Sequence, residues 1–168
     1  MSKTAKTKNT LQVVDGDPVE QPSREDAEAA VRTLIRWAGD NPDREGLQDT
    51  PARVVRSYEE FFNGYDLCPN TILERTFEET DGYDEMVVLR DIRVESHCEH
   101  HMLPFFGRCH IGYISRDKVI GLSKLARIVD FHARRLQIQE RLTADIAKDI
   151  AEAIDAKGVG VVMEAKHL

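Results

Sequence analysis

The chain has 168 residues, of which 41% are hydrophobic, and a formal net charge of −7. That length supports one buried core and excludes two full domains, and without a basic stripe or a basic amphipathic helix the acidic balance excludes broad nucleic-acid or anionic-membrane binding. No run of about 18 apolar residues occurs and the N-terminus lacks the apolar segment of a secretion leader, so a cytoplasmic protein with no membrane partner is expected, its three cysteines (Cys68, Cys98, Cys109) reduced.

Residues 1–22 are polar, with Gly16, Pro18 and Pro22 and only a short Leu11-Gln-Val-Val14 apolar patch, and are expected to form a disordered tail ahead of a domain over 23–168. Ser23 is a natural N-cap for a helix over 24–38, with Ala27, Ala30, Val31, Leu34 and Ala38 at helical spacing. After Gly39 and Pro42, the pair Thr50-Pro51 predicts a second helix, with Thr50 as N-cap, that closes near Gly64. From Met86 the period changes. Runs over 86–94 and 105–114 are rich in strand formers and are joined by a His-rich turn, which predicts an antiparallel pair. Two helices follow, with Leu125, Ile128, Val129 and Leu136 inward on the first and Leu142, Ile146, Ile150 and Ile154 inward on the second. A last strand over 159–165 is expected to lack a hairpin partner in sequence, an arrangement that calls for another chain or for more sequence.

The densest chemical constellation is His97-Cys98-Glu99-His100-His101, in the turn between the paired strands. Cys98 and His101 have the separation that lets one thiolate and one imidazole reach a common Zn²⁺. Two ligands are too few, since a catalytic zinc takes three protein ligands and leaves a position for water. Cys109-His110 is another pair, but neighbours on a strand point to opposite faces, and Cys68 and Cys109 read more simply as small apolar fillers.

A second constellation, Gly121-Leu-Ser-Lys-Leu-Ala-Arg127, opens a helix. Ser123 reads as its N-cap, while Lys124 and Arg127 share a face, so a helix N-terminus and two cations suit a phosphate group. A solvated basic face is the simpler alternative, although cations placed against the macrodipole have a cost that a ligand would explain. Further Arg clusters lie at Arg53/Arg56 and Arg134/Arg135, so a small polyanion could be held against the acidic background. In Gln137-Ile-Gln-Glu-Arg-Leu142, Glu140 is either an ordinary first-turn acid or an acceptor for two N–H groups of a guanine edge.

Taken in order, Arg44-Glu-Gly-Leu-x-x-Thr-Pro-x-Arg53, Cys98-Glu-His-His101, Gly121-Leu-Ser-Lys124, Gln137-x-Gln-Glu-Arg-Leu142 and Glu164-Ala-x-His167 resemble the GTP cyclohydrolase I family over about residues 24–168. The resemblance implies an α+β T-fold, with antiparallel strand pairs flanking a helix pair, in a homo-oligomer that is typically a decamer with active sites between subunits. It implies zinc on Cys98 and His101, with a third ligand, a cysteine, just beyond Leu168, so that the chain reads as C-terminally truncated. It further implies that His100 handles protons near N7 of the guanine and that His167 is acid or base at the ribose. Glu140 and Gln139 would hold the guanine edge, and Ser123, Lys124 and Arg127, with Arg53 and Arg56 from a neighbouring subunit, the triphosphate. The implied reaction converts GTP into formate and 7,8-dihydroneopterin triphosphate, the entry to folate and other pterins. The alternative is a non-catalytic fragment or assembly subunit of the same fold, lacking a complete zinc site.

Overall fold

The computed structural model describes residues 20–73, 76–77 and 85–168, so most of the tail expected over 1–22 lies outside the described residues. The chain divides into two compact units between Glu60 and Phe61. In the first unit, α1 (Arg24–Trp37) begins as the sequence predicts: the Ser23 hydroxyl oxygen accepts the Asp26 N–H at 3.0 Å, satisfying a donor that the first turn leaves free. On the apolar face of α1, Leu34 is 64% and Trp37 88% exposed among the described residues. The second helix, α2 (Thr50–Phe61), includes Thr50 in its first turn and buries Pro51. Arg24 joins α1 to Glu59 at 3.0 Å.

The second unit carries a four-stranded sheet in the order β5 (Leu136–Gln137), β2 (Met86–Cys98), β3 (Pro104–Ile114), β6 (Gly158–His167). A small two-stranded pairing of β1 (Thr76–Phe77) with β4 (Val119–Ile120) accompanies it, as does the short helix α3 (Pro69–Leu73). The antiparallel β2–β3 pair is the one the sequence predicts, with both strands longer, so that the His-rich turn shrinks to a few residues between Cys98 and Pro104. Helices α4 (Leu122–Ala133) and α5 (Gln139–Ile154) supply Leu125, Ile128, Val129, Leu142, Ile146, Ile150 and Ile154 to the core, all at most 2% exposed. Against them β3 presents Phe105, Cys109, Ile111 and Tyr113, alternate residues of one strand face. A buried contact of 2.8 Å between His132 Nε2 and Asp149 Oδ2 ties the two helices together.

Strand β2 keeps its apolar residues inward only by changing phase. Its partners slip between Leu89 and Ile92, and Asp91 takes φ 61°, a left-handed conformation at an inserted residue. Val87 and Leu89 before this bulge and Ile92, Val94 and Ser96 after it therefore lie on the helix side, and Cys98 joins the same row against the core. The Asp91 N–H donates to His110 Nδ1 at 3.1 Å, and Arg108 Nη1 donates to the Asp91 carbonyl at 3.1 Å, so both backbone groups of the bulge are satisfied.

Four expectations need correction. The last strand is not unpaired, since β6 pairs antiparallel along its length with β3, from Ile114↔Gly158 to Phe105↔His167, although it has no hairpin partner among the described residues and stands at the edge of the sheet. Leu136 and Gln137 belong to neither helix: they form β5, parallel to β2 at His97 and Cys98. Ser123 is not the N-cap of α4, because Gly121 holds the extended cap conformation (φ −61°, ψ 135°) and Ser123 lies in the first turn. Cys109 is buried as expected, but Cys68 is exposed and fills no core space.

Candidate functional site

The β2–β3 turn is closed by two backbone bonds, Cys98 N–H to Leu103 O and Met102 N–H to Cys98 O, each 2.8 Å. It is also moored sideways, where the Glu99 N–H donates to Gln137 O at 3.0 Å beside the β2–β5 pairing. Within it Cys98 is half-buried, its Sγ 3.8 Å from His100 Nδ1, while His100 and His101 are exposed. The two imidazoles meet edge to face at 6.3 Å between centroids. A thiol beside two accessible imidazoles is a donor set that suits Zn²⁺, and this turn brings those groups together. It does not complete a site: among the described residues no group of three or more His, Cys, Asp or Glu is arranged to hold a metal ion.

The remaining cysteine and histidine candidates have other surroundings. His97 lies between Phe61 at 4.8 Å and Phe62 at 5.3 Å, and burial pulls its pKa below the ordinary value. Burial pushes the Cys109 thiol up to about 11, which keeps it protonated at neutral pH and inert.

His167 reaches the same end of the sheet from β6. Its ring stacks on Phe105 at 4.7 Å with a 12° interplanar angle, and its Nε2 lies 3.1 Å from Gln139 Oε1 at the start of α5. The Gln139 amide nitrogen donates to Met163 O at 3.0 Å, which leaves Oε1 as an acceptor. In the neutral ring His167 Nε2 therefore carries the proton, and Nδ1 presents a lone pair. Glu140, exposed in the first turn of α5, follows Gln139 directly. One end of the sheet thus gathers Cys98, His100, His101, Gln139, Glu140 and His167.

The anion-binding candidates are elsewhere. Ser123 and Lys124 lie in the first turn of α4, next to Ile120, whose N–H donates to the Tyr113 hydroxyl at 3.1 Å, and Arg127 lies halfway along the helix. Tyr113 stands eight positions along β3 from Phe105, about 27 Å at the strand rise. Helix α4 has 12 residues, about 18 Å of axis, and its far end leads through Arg134 and Arg135 to β5. Ser123 and Lys124 are therefore at the opposite end of the second unit from the Cys98 turn. Arg53 and Arg56 are exposed on α2 of the first unit, with Arg53 paired to Asp49 at 3.1 Å.

The Arg134/Arg135 cluster is not an anion site. Arg135 is buried, stacks over Phe131 at 4.2 Å and donates to Gly64 O at 2.9 Å, while Arg134 pairs with Asp130 at 2.9 Å. Sequence reasoning also passed over Arg141. Its guanidinium reaches the Glu99 carboxylate, Gln137 Oε1 (3.2 Å from Nε) and Leu136 O (3.3 Å from Nη2). The signal for it was its place within the Gln137–Leu142 string.

The family profile of GTP cyclohydrolase I matches residues 27–168. The GTP cyclohydrolase 1 of Sinorhizobium fredii (strain NBRC 101917 / NGR234) is 55% identical over 148 residues, covering 88% of this chain and 72% of the relative. That of Maricaulis maris (strain MCS10) is 56% identical over 147 residues with the same shares covered. The chain belongs to the GTP cyclohydrolase I family. Among solved structures, the archaeosine synthase QueF-Like in its apo form aligns with 49% of this chain and 91% of its own at a TM-score of 0.43 and 22% identity, too distant to carry an argument. Among the described residues no helix is long and apolar enough to cross a membrane.

Proposed function

We propose that this chain is the catalytic subunit of a GTP cyclohydrolase I, opening the guanine ring of GTP to give formate and 7,8-dihydroneopterin triphosphate. The observation that carries the reading is the convergence of Cys98, His100, His101, Gln139, Glu140 and His167 at one end of the sheet, in a chain whose family match spans 27–168.

Cys98 and His101 would hold Zn²⁺, with a third donor supplied from outside the described residues. When bound, the metal supplies Lewis acidity that lowers the pKa of a water to roughly 7. The chain's own groups do the rest. His100, exposed beside the Cys98 thiol, delivers or removes a proton at N7 as the imidazole ring of guanine opens at C8. The Glu140 carboxylate accepts the ring and exocyclic N–H groups of the guanine edge, a paired contact that adenine cannot offer. Gln139 is engaged by His167 on one side of its amide and by Met163 on the other. Its side chain therefore orients His167 in preference to adding to the guanine edge, and the His167 Nδ1 lone pair is the base at the ribose. Ser123, Lys124 and Arg127, with Arg53 and Arg56, take the triphosphate.

The separation of Ser123 and Lys124 from the Cys98 turn supports a site shared between copies, in which one subunit's α4 N-terminus faces another's turn. A homo-oligomer, a decamer by the resemblance, follows. The test is product analysis: a chain that carries the third zinc donor should, incubated with GTP, give formate and a pterin in equal amounts, with none from ATP. Binding of GTP without either product would favour the non-catalytic assembly subunit.

A further inference from the structure

Arg141 is the third residue of α5, where its cation opposes the positive end of the helix dipole, so the helix itself gives no reason for a cation there. Its guanidinium instead spans three groups: the Glu99 carboxylate, Gln137 Oε1 and the Leu136 carbonyl. Gln137 is 3% exposed and its amide nitrogen donates to His132 O at 3.1 Å, so the anchor under Arg141 is fixed in the core. Glu99 lies between Cys98 and His100, and its N–H already donates to Gln137 O at 3.0 Å. A main-chain bond to Gln137 on β5 and a single charge-assisted one to Arg141 in the first turn of α5 therefore hold the same residue of the turn. The two side chains are 42% and 33% exposed, and pairs so open to water contribute little to folding.

Resting on the site proposed above, we propose that Arg141 and Glu99 are positioning residues: their ion pair fixes the Cys98–His101 turn relative to Gln139 and Glu140. Neither touches substrate or metal. Arg141 stands two residues from Gln139, which holds His167, and Glu99 stands next to Cys98, so the pair sets the spacing between the metal-binding turn and the groups that hold the purine and the ribose. A rigid fork is what this needs, and Lys at 141 would not replace it.

The test uses the full chain with Arg141→Met, Glu99→Gln and the double variant. Amide hydrogen exchange at Glu99 and Met102, read by NMR, should accelerate about tenfold in each single variant and no further in the double, while the β3 amides and Tm stay unchanged. Cobalt(II) affinity, read from the thiolate-to-cobalt absorption of Cys98, should fall by about tenfold in the same variants, and Arg141→Lys should not restore either property. Unchanged exchange in the single variants, losses that multiply in the double, or a fall in Tm that accounts for both effects would overturn the positioning role. If exchange responds as stated but the unmodified chain shows no thiolate-to-cobalt band, the clamp stands and the metal reading of the proposed function fails.

Discussion

His167 Nε2 lies 3.1 Å from Gln139 Oε1, and that contact fixes which nitrogen of His167 is free to accept a proton. Replacement of Gln139 by Leu would keep its volume and remove the acceptor, releasing the ring from its tautomer and from its stack on Phe105. The expected result is a fall in kcat of about a hundredfold with little change in KM for GTP. Nitrogen NMR of the His167 ring should show the Nε2–H form in the unmodified protein and a mixture of tautomers in Gln139→Leu.

Lys124→Ala and Arg127→Ala should weaken GTP binding by about ten- to a hundredfold each, the usual worth of a hydrogen bond to a charged group, and leave guanosine binding almost untouched. Glu140→Gln should show the opposite pattern, weakening both ligands alike. Calorimetric titration with GTP and guanosine checks both, and equal losses for the two ligands in the α4 variants would contradict the phosphate role.

Asp91 sits at φ 61° with an exposed side chain, held by His110 and Arg108. Asp91→Gly should therefore be neutral or stabilising, whereas Asp91→Val should cost about 1–2 kcal/mol, because a branched Cβ resists the left-handed region. Denaturant unfolding of the two variants gives the comparison directly.

In the first unit, Arg44 forks onto Asp40 with two contacts of 2.8 Å and holds the Asp40 carboxyl at about 2, below its ordinary 3.8. A carboxyl depressed in the folded state contributes stability above its unfolded pKa and loses it as the pH falls through the folded one, so this contribution fades between about 3.8 and about 2. NMR titration should place the Asp40 midpoint near the lower value and move it toward 3.8 in Arg44→Gln. Both groups are exposed, so added salt should move it the same way.

The apolar spacing of α4 and α5 and the strand runs around the His-rich turn were legible in the sequence because period alone encodes them, and Leu142, Ile146, Ile150 and Ile154 are buried as spaced. The bulge at Asp91 was not, since an extra residue shows only when β2 is counted against β3. Two-residue β5 escaped for a similar reason: its existence depends on β2 lying alongside it. Arg135 looked like half of a basic cluster, but it is buried over Phe131 and donates to Gly64 O, an outcome decided by tertiary contacts. Of the candidate site, the proximity of Cys98, His100 and His101 was legible as a local string, and Glu140 and His167 were proposed through resemblance. The Glu99–Arg141 pair was hidden, because its partners are 42 residues apart and each reads alone as a surface charge.

The central claim is that Cys98 and His101 anchor the zinc that serves a GTP-opening site. It is tested most directly by measuring bound zinc and formate release from GTP on the same preparations of a chain that carries the third zinc donor and of its Cys98→Ser variant. The account predicts that zinc and formate release are lost together in Cys98→Ser, with the fold and GTP binding retained. Formate release at the unmodified rate from zinc-free Cys98→Ser protein would contradict it.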